Sequence, residues 1–431
     1  MSPSLLAIIA LALLTFGAIS RRAQRGILTA PMVFVVLGFG LGADGLGWLT
    51  RESAGAFLDG LAELTLAIVL FTDASRIDLT CLRREENLPL RLLGIGLPLA
   101  IGLGALVAQA IWPELPGLEC ALLAAILAPT DAALGQAVVS DTRVPVRIRQ
   151  TLNVESGLND GIVLPAVLVL ASLASASGEP TADARAWLRF AALQVTLGPL
   201  VGVGVGVLGG QLITWASRAG WIEESFQRLA GVALAVLAFA LADLVHGNGF
   251  IAAFSAGLAL GSSSQSICPR LHAFGEAEGQ LLTLLVFLLF GAVLLPSGLH
   301  EADAAVWGYA ALSLTLIRML PVAVALWGSG LRPVSFAFLG WFGPRGLASI
   351  LFALIVSERF DVVHAEWIEA VVGVTVLLSV FAHGASAYPF ASRYARHVGA
   401  RPQHMHAEHV PVTERPVRIP HRHAPTSRSL V

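Results

Sequence analysis

The amino-acid sequence predicts an all-α polytopic membrane protein of about thirteen transmembrane helices, set out as two inverted six-helix repeats with two discontinuous crossing helices. Three observations point there. Of 431 residues, 56% are hydrophobic and only 13% charged, against about a quarter charged in a soluble domain. Apolar stretches near the roughly 20 residues that a bilayer span needs follow one another with short polar loops between them. Two of these stretches are interrupted at corresponding places, at Pro129 and Pro344, about half the chain apart.

Hydropathy sets the spans at 4–19, 27–43, 58–75, 88–112, 118–140, 147–173, 186–216, 227–245, 248–263, 279–297, 304–328, 333–357 and 367–392. The first has its arginines after the apolar run and none before it, so it reads as a retained span and not a cleaved leader. The third carries Glu63 and Asp73, candidates to line a cytoplasmic route. The fifth contains Ala128-Pro129-Thr130-Asp131 and the twelfth Gly343-Pro344-Arg345-Gly346. Proline removes a backbone donor and clashes with the carbonyl four residues earlier, so both helices kink or unwind there. The sixth carries Glu155 and Asp160, the ninth is short and glycine-rich, and the eleventh holds Arg318. Six spans, a connecting span and six more invert the second half. Matched broken helices in inverted halves mark a transporter with its site near the midplane.

Arginine placement sets orientation. One set of alternate loops holds most of the arginines between Arg21 and Arg332, while the other holds only Arg51, Arg185, Arg189 and Arg359. The arginine-rich side is expected to be cytoplasmic, with the N-terminus outside and the C-terminus inside a plasma (inner) membrane. Residues 393–431, rich in Arg, Pro and His and poor in large apolar residues, read as a disordered, solvated cytoplasmic tail. Net charge is −2 and every one of the 27 basic residues is arginine, a balance that gives no reason to expect a nucleic-acid partner. Cys81, Cys120 and Cys268 lie far apart and form no CxxC, which argues against a disulfide framework or zinc site.

The chemistry concentrates between Pro129 and Pro165. On a helix, Glu155, Ser156, Asn159 and Asp160 share one face, an oxygen-rich surface of the kind a hard cation needs in place of its water shell. Ionisable groups at membrane depth are costly and usually mark an ion or proton path. Asp131 sits where half-helix ends meet, near free carbonyls and free N–H groups. Arg318 and Arg345 also lie at depth and need partners. Arg318 is assigned to Glu155 as a structural ion pair, and Arg345 to the second break, where it offsets half-helix dipoles or a carboxylate. Neither arginine is then assigned to Asp160, which is read as the carboxylate that changes occupancy between cation and proton.

These stretches, together with Leu70-Phe71-Thr72-Asp73, Asn248-Gly249-Phe250-Ile251-Ala252-Ala253-Phe254 and Gly340-Trp341-Phe342-Gly343-Pro344-Arg345-Gly346, resemble the monovalent cation:proton antiporter-1 family, the NhaP-type Na⁺/H⁺ antiporters. The resemblance implies electroneutral exchange of Na⁺ (or Li⁺) for H⁺ in pH homeostasis, by an elevator movement, in a homodimer of the NhaA/NhaP-like fold. Residues 1–75 and 186–297 (spans 1–3 and 7–10) would form a dimerisation domain. Residues 86–173 and 304–392 (spans 4–6 and 11–13) would form the ion-translocating core. Asn159-Asp160 would be the family's Asn-Asp pair, with Na⁺ held at Asp160, Asp131, Ser156 and Thr130. No cofactor is implied; the partners are the cation, the proton and the lipid bilayer. K⁺/H⁺ exchange by the same fold stays open, as does a cation channel. With no HExxH and no GxSxG, an intramembrane enzyme is disfavoured.

Overall fold

The computed structural model describes residues 3–23, 27–77, 87–177, 184–264, 268–399, 407–410 and 412. Among these residues the chain is helical, with no strand. That suits a sequence destined for lipid, where backbone groups must be satisfied within their own segment. The helices are α1 (Pro3–Ala23), α2 (Ala30–Leu41), α3 (Arg51–Ser75), α4 (Asn87–Ile111), α5 (Gly117–Ile126), α6 (Ala132–Val139), α7 (Val146–Ser177) and α8 (Ala184–Arg218). They continue as α9 (Glu224–Leu244), α10 (Gly249–Ser263), α11 (Cys268–Leu289, prolonged by a π-turn into Leu295–His300), α12 (Ala304–Ala325, bent at Thr315), α13 (Pro333–Trp341), α14 (Leu347–Arg359) and α15 (Ala365–Gly399).

Among the described residues, seven helices are long and apolar enough to cross a membrane unaided. Counting α5 with α6 and α13 with α14 as single interrupted crossings, the described residues form thirteen spans. The breaks fall at residues 127–131 and 342–346, where the prolines lie. The short ninth crossing, α10, is capped by Asn248, whose side-chain Oδ1 accepts from Phe250 N at 3.1 Å and Ile251 N at 3.0 Å.

Small residues bring the crossings together. α10 lies between α3 and α8, and a Cβ on Gly257 or Gly261 would fall 2.2 Å from Phe71 O or 2.5 Å from Ser75 O. Close backbone approach of this kind takes the place of a hydrophobic driving force in lipid. α4, α5, α6, α7, α12, α13, α14 and α15 interlock around the two breaks, and α3 and α10 abut α7. Leu200, Leu208 and Leu212 on α8 and Phe226 and Leu244 on α9 are exposed, as lipid-facing side chains are.

Two sequence expectations are corrected. The third helix begins at Arg51, two turns before the predicted span, and Arg51 donates to both carboxylate oxygens of Glu369 on α15 at 3.1 and 3.3 Å. The tail is not wholly without structure: α15 runs on to Gly399, and Ala407–His409 forms a 3₁₀ turn whose Glu408 is fully buried. Glu408 Oε1 accepts from Arg332 N at 2.9 Å and from Ser335 Oγ at 2.8 Å, while Arg147 donates to Ala407 O at 2.5 Å. Low hydropathy concealed this anchoring because it is polar. The rest of the tail lies outside the described residues.

Candidate functional site

The two interrupted crossings meet, and each completes the other. α5 ends with carbonyls that lack helical N–H donors, as every helix C-terminus does. Arg345, from the second break and 1% exposed, donates to Ala128 O and, at 3.1 Å, to Pro129 O. Ser349 Oγ donates to Ile126 O at 2.8 Å. A guanidinium at a helix C-terminus also offsets its dipole.

In return, Asp131 serves two helix starts. Its Oδ1 accepts from Ala133 N at 2.7 Å and Leu134 N at 3.4 Å, and its Oδ2 from Leu347 N at 2.8 Å. Asp131 thus caps both α6 and α14, and its own N–H donates to Pro344 O at 2.7 Å. Gly346 makes room for this: a Cβ there would lie 2.1 Å from Asp131 Oδ2. A carboxylate offers about four acceptor sites, and backbone donors take three of them. The Asp131 side chain, expected to ligate a cation, thus also caps two helix starts.

The face of α7 brings the other predicted residues together. Thr130 Oγ1 and Ser156 Oγ share a hydrogen bond of 2.9 Å, and Asn159 Nδ2 donates to Thr130 Oγ1 at 2.7 Å. That fixes the amide and leaves Asn159 Oδ1 buried and without a hydrogen-bond partner. Asp160, half-buried, follows on the same face. Behind them Arg318 makes a two-pronged pair with Glu155, Nη1 to Oε1 at 2.6 Å and Nη2 to Oε2 at 2.9 Å, both side chains 3% exposed. Arg318 passes directly beneath Gly343, where a Cβ would come within 2.3 Å of its Nε.

Two adjoining narrow cavities reach Ser156 of this cluster from the end of the molecule that carries Arg143 and Arg147. Ala132 and Asn153 line both; Asp73 lines the first, and Ser156 and Pro344 the second. Glu63, expected beside Asp73, lines neither; it pairs instead with Arg359 at the end of α14.

Residues 8–393 match the family model described as sodium/hydrogen exchanger, transmembrane. The chain belongs to the sodium/hydrogen exchanger family. Among its relatives are the K⁺/H⁺ antiporter NhaP of Alkalimonas amylolytica, 28% identical over 75% of this chain and 55% of that protein. The Na⁺/H⁺ antiporter 2 of Zygosaccharomyces rouxii is 26% identical over 58% of this chain and 33% of that one. This exchanger-family chain spans between a third and just over half of the length of the curated relatives it matches. Its fold is that of the sodium proton antiporter MjNhaP1 from Methanocaldococcus jannaschii, with a TM-score of 0.73 at 20% identity, covering 90% of this chain and 98% of that one.

Sequence reasoning missed three polar residues of α15 in this exchanger-family chain: Ser379, His383 and Ser386, all touching the second break. Their i, i+4, i+7 spacing in an apolar span was the available signal. It also missed Glu119, buried in the first turn of α5 and 2.7 Å from His364 Nδ1.

Proposed function

We propose that this chain is a secondary antiporter that exchanges Na⁺ (or Li⁺) for H⁺ across the membrane, with cation and proton competing for Asp160. The observation that carries the reading is the buried Asn159 Oδ1, lacking a hydrogen-bond partner, set beside the Thr130 and Ser156 hydroxyls. Three neutral oxygens next to a carboxylate form a hard-cation site, and a narrow cavity reaches its Ser156 edge. Glu155–Arg318 and Arg345 are structural charges that hold this site in shape. Asp131 fixes the two half-helices that frame it.

The coupling needs no chemistry. Asp160 binds a cation or a proton, and the core moves only when it is occupied. An empty, ionised site would have to cross a low-dielectric barrier at a cost of several kcal/mol. The moving body is spans 4–6 and 11–13, sliding against spans 1–3 and 7–10, which also form the homodimer. The N-terminus lies outside and the C-terminus in the cytoplasm of a plasma (inner) membrane, so the cavities open to the cytoplasm. Exchange is one-for-one and electroneutral, and it serves pH homeostasis.

K⁺/H⁺ exchange is the second reading, favoured by the Alkalimonas amylolytica relative that carries that name. Purified protein in liposomes, driven by a pH gradient across pH 6 to 9, separates the two when Na⁺, Li⁺ and K⁺ are compared. Saturable, proton-coupled exchange abolished by Asp160→Asn is the expected result. Exchange that survives Asp160→Asn overturns the site, and flux without proton coupling would make the protein a channel.

A further inference from the structure

The second break is held open by α15. Trp341, the last residue of α13, is fixed in three ways: its carbonyl faces His383 Nε2 at 2.8 Å, its indole Nε1 donates to Ser386 Oγ at 2.9 Å, and its ring lies 4.9 Å from the His383 ring. Four residues on, Arg345 N donates to Ser379 Oγ at 2.7 Å. Ser379, His383 and Ser386 stand at i, i+4 and i+7, one face of one helix. Between them they grip both sides of the unwound segment.

The hydrogen bonding suits a neutral ring. Trp341 O can only accept, so His383 Nε2 carries the hydrogen. Ser379 Oγ accepts from Arg345 N, and its own hydrogen is then available to His383 Nδ1 at 3.2 Å. A neutral ring closes an unbroken chain: Arg345 N–H to Ser379 Oγ, Ser379 O–H to His383 Nδ1, His383 Nε2–H to Trp341 O. Protonation of Nδ1 would turn it towards Ser379 O, 3.0 Å away, and end its acceptance of the Ser379 hydroxyl.

We propose that His383, with Ser379, is a positioning residue for cation binding: a neutral clamp that sets the second break and, through Arg345, the carbonyls of Ala128 and Pro129 beside Thr130. This rests on the exchange reading above. Because His383 touches no transported ion, its loss acts on affinity through Arg345 and leaves the pH profile set elsewhere.

Two measurements test it. The first is the apparent KM for Na⁺ or K⁺ in liposomes. His383→Ala and Ser379→Ala should each raise KM about tenfold, the equivalent of one hydrogen bond of about 1.4 kcal/mol, with the pH optimum unmoved. His383→Gln, whose amide N–H₂ reaches the Nε2 position, should stay within about threefold of the parent. His383→Asn, which reaches only the Nδ1 position, should not. The second is amide hydrogen exchange of the 342–349 segment, which reads the clamp whether or not ions move. His383→Ala should speed exchange there and not in α8 or α9. Unaltered exchange overturns the clamp; faster exchange with a parental KM overturns its role in binding. If His383→Ala does not fold, the Gln and Asn variants decide, and equal KM values for the two sink the proposal. If even the parent transports neither cation, the exchange reading fails while amide exchange still judges the clamp.

Discussion

Removing one half of the Arg318–Glu155 pair is the sharpest test of how this site is built. Both side chains are 3% exposed, and the pair is two-pronged at 2.6 and 2.9 Å. Truncation to Arg318→Ala leaves the Glu155 carboxylate buried and uncompensated, which costs about 3–5 kcal/mol. It also empties the space under Gly343, against whose backbone Arg318 packs. At roughly 2.1 cal/mol/K per residue the unfolding entropy of a chain of 431 residues is about 0.9 kcal/mol/K, so Tm should fall by ~3–6 °C. Thermal unfolding of the detergent-solubilised protein, followed by size-exclusion chromatography of heated samples, reads this directly. The double variant Arg318→Met/Glu155→Leu supplies the control. Replacing a buried pair by apolar side chains is often neutral or stabilising, so it should recover most of the loss. A parental Tm for Arg318→Ala, or a double variant no better than the single, would refute the reasoning.

Four further outcomes are expected. Gly346→Ala drives a methyl group into Asp131 Oδ2, so Na⁺/H⁺ exchange in liposomes should drop at least about tenfold; parental exchange would show that the two caps do not govern the site. Asp131→Asn keeps the α6 cap but turns an amide donor towards Leu347 N–H, losing about 1.5–3 kcal/mol. Tm should fall ~2–3 °C with cation binding measurable, whereas complete loss of binding at unchanged Tm would make Asp131 a ligand and not a cap. Glu63→Gln removes a half-exposed pair worth up to about 1 kcal/mol, so exchange should change less than about fivefold; abolition would return Glu63 to the ion path. Burial alone would raise the Glu408 carboxyl, but hydrogen bonds from Arg332 N–H and Ser335 Oγ–H outweigh it and hold the group below its ordinary value. A depressed carboxylate stabilises above its unfolded value of about 4.3 and loses that stability as pH falls through the folded value. Amide exchange at Arg332 should therefore be slow and flat from pH 6 to 9, after correction for intrinsic rates, and speed up only below about pH 4; release near neutrality would contradict it.

The spans and both breaks could be read from hydropathy and proline because the bilayer imposes length and satisfaction rules that a sequence cannot evade. Glu155 and Arg318 found each other on charge alone, since neither is tolerable at depth by itself. What was not legible depended on which of several partners a group would choose. That the Asp131 carboxylate faces the donors of its own second half-helix was legible, but only the meeting of the two breaks decided that Leu347 N–H would take its other oxygen. Glu63 and Asp73 share a helix, yet ten residues of rise carry them to different ends of the contact with the neighbouring helices. His383 lay in an apolar span with no charge nearby in sequence, and its importance comes from Trp341 and Ser379 arriving at its two nitrogens.

The mutual satisfaction of the two breaks bears on how the chain is assembled. Ile126 O, Ala128 O and Asp131 find their partners in Ser349, Arg345, Pro344 and Leu347. During synthesis the fifth crossing therefore enters the bilayer long before the residues that complete it exist. Each exposed backbone group in hydrocarbon costs several kcal/mol. A nascent chain halted before Pro333 should thus hold its first broken helix at the interface, or in the care of the insertion machinery, until the twelfth crossing arrives.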